Sequence, residues 1–145
     1  MNPRRRSLAT VSVAACLITS LMFPAYALGQ GASTRIRFRR GESSTTVSGR
    51  LSSRRLKQTF IIGAREGQEL YLQIKARTND GLDFANVMVF DPSGRGVASD
   101  DGGMVRLRLG RTGDYRLEVT PPGSFYNERL KGYKRLQFSL FVSVT

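Results

Sequence analysis

The segment that decides the fold class reads Leu136-Gln-Phe-Ser-Leu-Phe-Val-Ser-Val144. Apolar residues occupy every second position, and most of the intervening positions are polar. Because consecutive side chains of a β-strand point to opposite faces, this alternation predicts a strand with one buried face. The same period of two recurs at 70–76, 105–109 and 115–119, so strands are predicted to dominate the fold.

Further segments extend the pattern to about eight strands. Ile36 and Phe38 alternate with arginines, and residues 45–51, 59–62 and 86–90 are rich in β-branched or aromatic side chains. The last of these is apolar on both faces, which favours a position inside a sheet. Turn-forming Gly, Asp, Asn and Pro residues separate the segments. Short strands at a spacing of roughly ten residues predict an all-β protein, a single antiparallel β-sandwich.

The beginning of the chain has the layout of a secretory signal peptide. Arg4 to Arg6 form a basic start, and residues 7–23 are uncharged and largely apolar. Pro24 follows, and Ala25-Tyr-Ala27 supplies the small residues that a signal peptidase requires. The apolar stretch is diluted with Ser and Thr, which makes it marginal for crossing a hydrocarbon core of ~30 Å.

These features predict a helical signal peptide at 1–27, a flexible lead-in at 28–34 and a β-sandwich domain at 35–145. The expected location is therefore periplasmic or secreted, with no stable membrane span after cleavage. Two alternatives stay open, an uncleaved anchor and a lipoprotein modified at Cys16, which follows Val13-Ala-Ala.

The residue composition restricts the available chemistry. The chain has 145 residues, with 23 Lys+Arg against 11 Asp+Glu, a formal net charge of +12, one Cys, and neither His nor Trp. Without His or a second Cys, the chain can build neither a zinc site of the usual nitrogen and sulfur type nor a Ser-His-Asp or Cys-His arrangement. We therefore expect a binding protein without a cofactor, and no enzyme.

An acidic group stands out in this basic chain, formed by Asp80, Asp83, Asp91, Asp100 and Asp101. Carboxylates of this kind could supply oxygen ligands to calcium. However, the spacing matches no EF-hand, and Asp beside Gly is common turn chemistry. We favour turns and predict no metal site. No spacing singles out a pair of carboxylates for a glycosidase mechanism either.

An ordered series of motifs resembles a known group of exported proteins. The series consists of Ile36-Arg-Phe38, Ser44 to Leu51, Ala64-Arg-Glu-Gly-Gln-Glu-Leu70, Val89-Phe-Asp-Pro-Ser-Gly94, Thr112-Gly-Asp-Tyr-Arg-Leu-Glu-Val119 and the closing strand. It resembles the small β-sandwiches related to bacterial pre-peptidase C-terminal domains. Within that group it is most similar to the periplasmic inhibitors of goose-type lysozyme.

This resemblance implies a goose-type lysozyme as partner and a binding loop at 120–133, because in these inhibitors a loop before the last strand carries Arg side chains into the lysozyme cleft. By position, the resemblance implies Arg129 and Lys131 as the residues that enter the cleft, and the composition of the loop adds Phe125, Tyr126 and Tyr133 to the candidate residues. Aromatic and Arg side chains dominate binding hot spots, and a glycosidase cleft presents carboxylates that would attract cations. The alternative is a crossover whose aromatic side chains cap one end of the sandwich.

A second hypothesis of function rests on basic strand faces. Six arginines are predicted to point to solvent from strands, namely Arg35, Arg37, Arg39, Arg106, Arg108 and Arg116. Such a surface would bind anionic polymers of the cell envelope in a salt-dependent way. It could equally be a charged face that discourages edge-to-edge sheet pairing. Few aromatic residues interleave these arginines, unlike in proteins that bind single-stranded nucleic acid, so no nucleic-acid partner is expected.

Overall fold

The computed structural model describes residues 32–52, 54–78, 81–83, 85–100, 102–121 and 136–145. Within these ranges the chain forms strands and no helix, which confirms the all-β prediction. Accordingly, these ranges contain no helix long and apolar enough to cross a membrane. The predicted signal peptide lies outside them. In chain order the strands are β1 (Thr34–Arg35), β2 (Ser44–Leu51), β3 (Gln58–Ala64), β4 (Glu69–Thr78), β5 (Gly81–Asp83), β6 (Asn86–Phe90), β7 (Gly96–Ser99), β8 (Met104–Arg108), β9 (Gly113–Thr120) and β10 (Leu136–Val144).

The strands form two sheets. Sheet A has the order β1-β3-β9-β6-β7. Sheet B has the order β2-β10-β4, and the far edge of β4 pairs with β8 at 69–73 and with β5 at 76–78. One buried core joins the inner faces of the two sheets, so the architecture is the predicted sandwich.

The antiparallel prediction needs one correction, because β1 runs parallel to β3 and places Thr34 opposite Phe60. The strand predicted around Ile36 and Phe38 is also wrong in its bounds. Ile36 is buried and its N–H still donates to the carbonyl of Ile61 at 2.8 Å. The chain then leaves the sheet and turns through a hydrogen bond from the N–H of Glu42 to the carbonyl of Arg39, because it must cross to sheet B to begin β2.

The other predicted strands are all present, and segment 86–90 is indeed internal, as β6 between β9 and β7. The structure adds β5 and β7 to them. The sequence places a turn at 79–81, yet Gly81 to Asp83 pairs with β4. Residues 96–99 of β7 have no apolar alternation, and hydrogen bonding to β6 makes them a strand. The extended conformation of such short edge strands depends on hydrogen bonds to the neighbouring strand. Their own sequence is therefore a weak predictor of strand structure.

The two sheets are joined in the core by an aromatic pair. The rings of Phe60 in β3 and Phe138 in β10 meet edge to face, with centroids 6.1 Å apart and an interplanar angle of 88°. Both side chains are buried. Aromatic pairs in this geometry contribute about 0.5–1.5 kcal/mol beyond the area that they bury.

Gly49 makes room for this pair. It lies opposite Phe138 in the β2–β10 register, and a Cβ at Gly49 would overlap both the Phe138 ring and the side-chain amide of Gln58. The Gln58 amide oxygen also accepts a hydrogen bond from the backbone N–H of Arg50 at 3.3 Å. Gln58 of sheet A is thus hydrogen bonded to the backbone of sheet B. Any side chain at position 49 would occupy the space through which it reaches.

We predict that Gly49→Ala destabilises the protein by about 1–3 kcal/mol, the usual cost of overpacking a core. Gly110→Ala is the matched control, because a Cβ there meets no atom within 4 Å and the residue has no positive φ. Urea denaturation of both variants measures the difference. Equal stability of the two variants would contradict the close approach at Gly49.

Candidate binding surfaces

The segment predicted to contact a lysozyme joins β9 to β10. Its candidate residues, Phe125, Tyr126, Arg129, Lys131 and Tyr133, lie outside the described residues, so their predicted role stays a prediction. The structure does describe both flanks of the segment. β9 ends at Thr120, the next residue Pro121 is buried, and β10 begins at the buried Leu136.

Both flanks belong to internal strands. β9 is paired with β3 and β6, and β10 is paired with β2 and β4. A strand that is hydrogen bonded along both edges is difficult to displace, and loops on such a scaffold are where binding residues are commonly found. The candidate segment is therefore attached at both ends to the most strongly paired strand of each sheet.

The six arginines of the second hypothesis do not share one face. Arg35 and Arg116 belong to sheet A. Arg106 and Arg108 lie on the outer face of β8 in sheet B, and Arg37 and Arg39 lie on the exposed connection that follows β1. All six are exposed, but the structure distributes them over two sheets and a connection and forms no continuous stripe.

Arg35 is engaged by a carboxylate of sheet A. Its guanidinium makes two hydrogen bonds to Asp114, one from Nη1 to Oδ1 at 3.0 Å and one from Nη2 to Oδ2. Donation from Arg35 holds the pKa of Asp114 below its usual value, and the same contact raises the pKa of Arg35. This pair links the end of the edge strand β1 to β9 across the intervening strand β3.

Two other arginines of the set also have acidic neighbours. Arg106 Nε lies 3.3 Å from a carboxylate oxygen of Glu69. Arg116 Nε lies 3.2 Å from Glu118, whose carboxylate also accepts a hydrogen bond from Lys57 Nζ at 3.2 Å. The guanidinium of Arg116 further covers the ring of Phe90, at 4.3 Å from its centroid. These contacts reduce the charge that the arginines offer to an external polymer.

The register of the strands brings together a basic group on the outer face of sheet B that differs from the six arginines of the second hypothesis. Arg50 in β2 and Arg77 in β4 both lie opposite Gln137 of β10, and Lys75 is the next outward residue along β4. An open groove of about 530 Å³ runs over this part of the sheet. Arg50 and Arg77 are far apart in the sequence, and only the pairing of β2 and β4 with β10 brings them together.

Asp91 is the buried polar residue among the described residues, and it organises the turn after β6. Its Oδ1 accepts hydrogen bonds from the N–H and the hydroxyl of Ser93, at 2.9 and 2.5 Å, and from the N–H of Arg95 at 3.1 Å. The Nε atoms of Arg95 and Arg111 lie 3.8 and 3.7 Å from its other oxygen. The Ser93 hydroxyl, followed by the backbone donors and Arg95, holds the pKa of Asp91 below its usual value against the opposing effect of burial.

Of the acidic group singled out in the sequence, the structure describes the side chains of Asp91 and Asp100. Asp91 closes the β6–β7 connection, and Asp100 accepts the N–H of Val87 at 2.8 Å at the other end of that hairpin. Asp80 and Asp101 and the side chain of Asp83 lie outside the description. Among the residues that are described, no group of three or more His, Cys, Asp or Glu side chains is placed to hold a metal ion.

No protein-family model and no curated protein sequence matches the chain. Its architecture is nevertheless found in solved structures. PliG from Aeromonas hydrophila, a periplasmic inhibitor of g-type (goose-type) lysozyme, superposes with a TM-score of 0.65 at 21% identity, over 78% of this chain and 96% of its own. PliG from Salmonella Typhimurium gives 0.55 at 22% identity, over 79% of this chain and 99% of its own.

The fold is that of these inhibitors. A mutant of PliG from Escherichia coli adds a third example, with a TM-score of 0.52 at 22% identity, over 78% of this chain and 97% of its own. The structural relation that the motifs suggested is thus confirmed at the level of the fold. Nearly the whole length of each inhibitor has a counterpart in this protein.

We predict that Asp91→Ala lowers the melting temperature at neutral pH by about 5 °C or more, because it removes the acceptor of three turn hydrogen bonds. A carboxylate with a lowered folded-state pKa stabilises above the ordinary pKa of about 4 and loses that effect as the pH falls through the lowered value. The difference from the parent protein should therefore shrink in acid.

Thermal melts from neutral to strongly acidic pH measure this difference. Asp114→Ala is the control, since its carboxylate also has a lowered pKa but is half exposed, where ion pairs contribute little. A difference for Asp91→Ala that persists unchanged below the folded-state pKa would contradict a role for the charge.

Proposed function

We propose that the protein is an exported, non-catalytic inhibitor of goose-type lysozyme that acts through segment 120–133. The observation that carries this proposal is the fold shared with PliG over 96% of the Aeromonas hydrophila inhibitor. The three PliG proteins are described as periplasmic, which supports a periplasmic location and fits the signal-peptide layout of residues 1–27.

The attachment of the segment supports a role in docking. Because β9 and β10 are internal strands of different sheets, the ends of the segment are held by both layers of the sandwich. A segment whose two ends are held by well-paired strands samples fewer conformations than one whose ends can move. It therefore loses less conformational entropy when it binds. The buried residues Pro121 and Leu136 mark these ends.

The composition of the segment supports an acidic cleft as its target. Arg129 and Lys131 would approach the carboxylates of a lysozyme active site, since glycosidases of this kind use paired Asp or Glu residues. Phe125, Tyr126 and Tyr133 would supply rigid apolar area around the charged contact, which is the usual composition of a hot spot. Substrate would then be excluded by occupation of the cleft, and no chemistry by the inhibitor is required.

The direct test is a turbidity assay of cell-wall lysis with the purified protein added to goose-type, chicken-type or invertebrate-type lysozyme. We expect selective protection against the goose-type enzyme. The lysozyme-to-inhibitor ratio at half protection gives the affinity. Lack of protection against the goose-type enzyme would reject the proposal, and equal protection against all three would reject its specificity.

We predict that Arg129→Ala weakens inhibition by about 30-fold or more, the effect of removing a hot-spot residue, and that Lys131→Ala weakens it less, because Lys lacks the planar fork of Arg. Arg37→Ala is the matched control, as it removes one exposed positive charge from another connection. All three variants should keep the parent melting temperature. Full inhibition by Arg129→Ala would remove the proposed mechanism.

A further inference from the structure

The outer faces of the two sheets differ in their charge balance. On sheet A the cations Arg35 and Arg116 are matched by the carboxylates of Asp114 and Glu118. On sheet B the outward charged residues that the structure describes are Arg50, Lys75, Arg77, Arg106, Arg108 and Glu69. Five cations therefore face one carboxylate, and that carboxylate lies beside Arg106.

The cations farthest from Glu69 are close to one another. Arg50 and Arg77 flank Gln137 on the two strands next to β10, and neighbouring strands lie about 4.8 Å apart. Lys75 is the neighbour of Arg77 on the same face of β4, so the three backbones lie within about 12 Å of one another. None of the three forms an ion pair with another described residue. Like charges at this distance repel, and a bound anion would relieve the repulsion.

An aromatic surface lies farther along the same face. Tyr71 in β4 and Phe141 in β10 contact each other with ring centroids 6.1 Å apart, and both are half-buried. Met104 beside them is 49% exposed, and its sulfur lies 3.5 Å from the Tyr71 hydroxyl. A sugar ring has an apolar C–H face, and the accessible edges of the two half-buried rings together with the exposed Met104 offer a small matching apolar surface.

Small polar side chains lie beside Phe141 and between it and the basic residues. They are Thr46 and Ser48 of β2, Ser139 of β10 and Gln73 of β4. Their hydroxyl and amide groups can both donate and accept hydrogen bonds, as sugar hydroxyls require. Along β10 the step from Phe141 to Gln137 is about 13 Å, which is longer than a single sugar ring. The face therefore has the chemistry and the length for several sugar units.

We propose that the outer face of sheet B binds an acidic polysaccharide, with a sugar ring on Tyr71 and Phe141 and carboxylates at Arg50, Lys75 and Arg77. None of the residues of this site belongs to segment 120–133, and the proposal does not depend on lysozyme inhibition. Single-stranded nucleic acid fits less well, since it stacks successive bases on several aromatic side chains. A lipid surface also fits less well, because the aromatic rings are half-buried and offer little apolar area to insert.

The probe is a set of oligogalacturonates, with neutral oligosaccharides of equal length as the comparison, and calorimetry measures their binding to the purified protein. The test variant is Arg50→Gln/Lys75→Gln/Arg77→Gln. The matched control is Arg40→Gln/Arg54→Gln/Arg65→Gln, which removes the same charge from exposed residues outside the strands. We expect the test variant to bind about tenfold or more weakly and the control to bind as the parent does.

A second variant, Phe141→Thr, removes the aromatic surface while keeping a residue that favours strands, and it should weaken binding without changing its salt dependence. Its melting temperature shows whether it folds, and the charge variants test the site independently. Equal loss in the test and control triples would overturn the site, as would parent binding that does not fall with rising salt. Tighter binding of single-stranded DNA, of anionic vesicles or of the neutral oligosaccharides would overturn the assignment of the ligand.

Discussion

The contact of Phe60 with Phe138 over Gly49 sets the relation between the two sheets. The edge-to-face rings occupy the core between β3 and β10, and the absent side chain at Gly49 lets Gln58 reach the backbone of Arg50. Because β10 pairs with both β2 and β4, its position fixes sheet B. The anchoring of segment 120–133 and the alignment of the basic residues on sheet B both follow from this one contact.

The positive charges of the protein are compensated by carboxylates to different extents on sheet A, at the turn after β6 and on the outer face of sheet B. On sheet A, carboxylates from neighbouring positions neutralise the arginines, and the ion pair of Arg35 with Asp114 ties down β1. At the turn after β6, the buried Asp91 collects backbone donors and lies close to two arginines. On the outer face of sheet B, no carboxylate among the described residues pairs with Arg50 or Arg77. Such a local excess of positive charge indicates a binding surface more directly than the net charge of the chain does.

Strands with apolar alternation were predictable from the sequence because burial of one face imposes a period of two. β10, β9 and β4 follow this rule clearly. β5 and β7 could not be predicted, since they are short and owe their conformation to hydrogen bonds with β4 and β6. The basic group on sheet B was missed for a related reason. Arg50, Lys75 and Arg77 come together only through pairing with β10, and the register between distant strands is not contained in any local pattern.

The central place of β10 has a consequence for how the chain acquires its structure. Residues 136–144 fill the gap between β2 and β4, which are encoded far earlier in the chain. Until these last residues have been synthesised, sheet B has two strands without the partner that joins them, and the aromatic contact of the core is incomplete. Contacts so distant in sequence slow folding because a long loop must close first. A chain in which β10 has not yet paired therefore lacks the contacts that complete sheet B, and it is easier to unfold and extend than the finished domain.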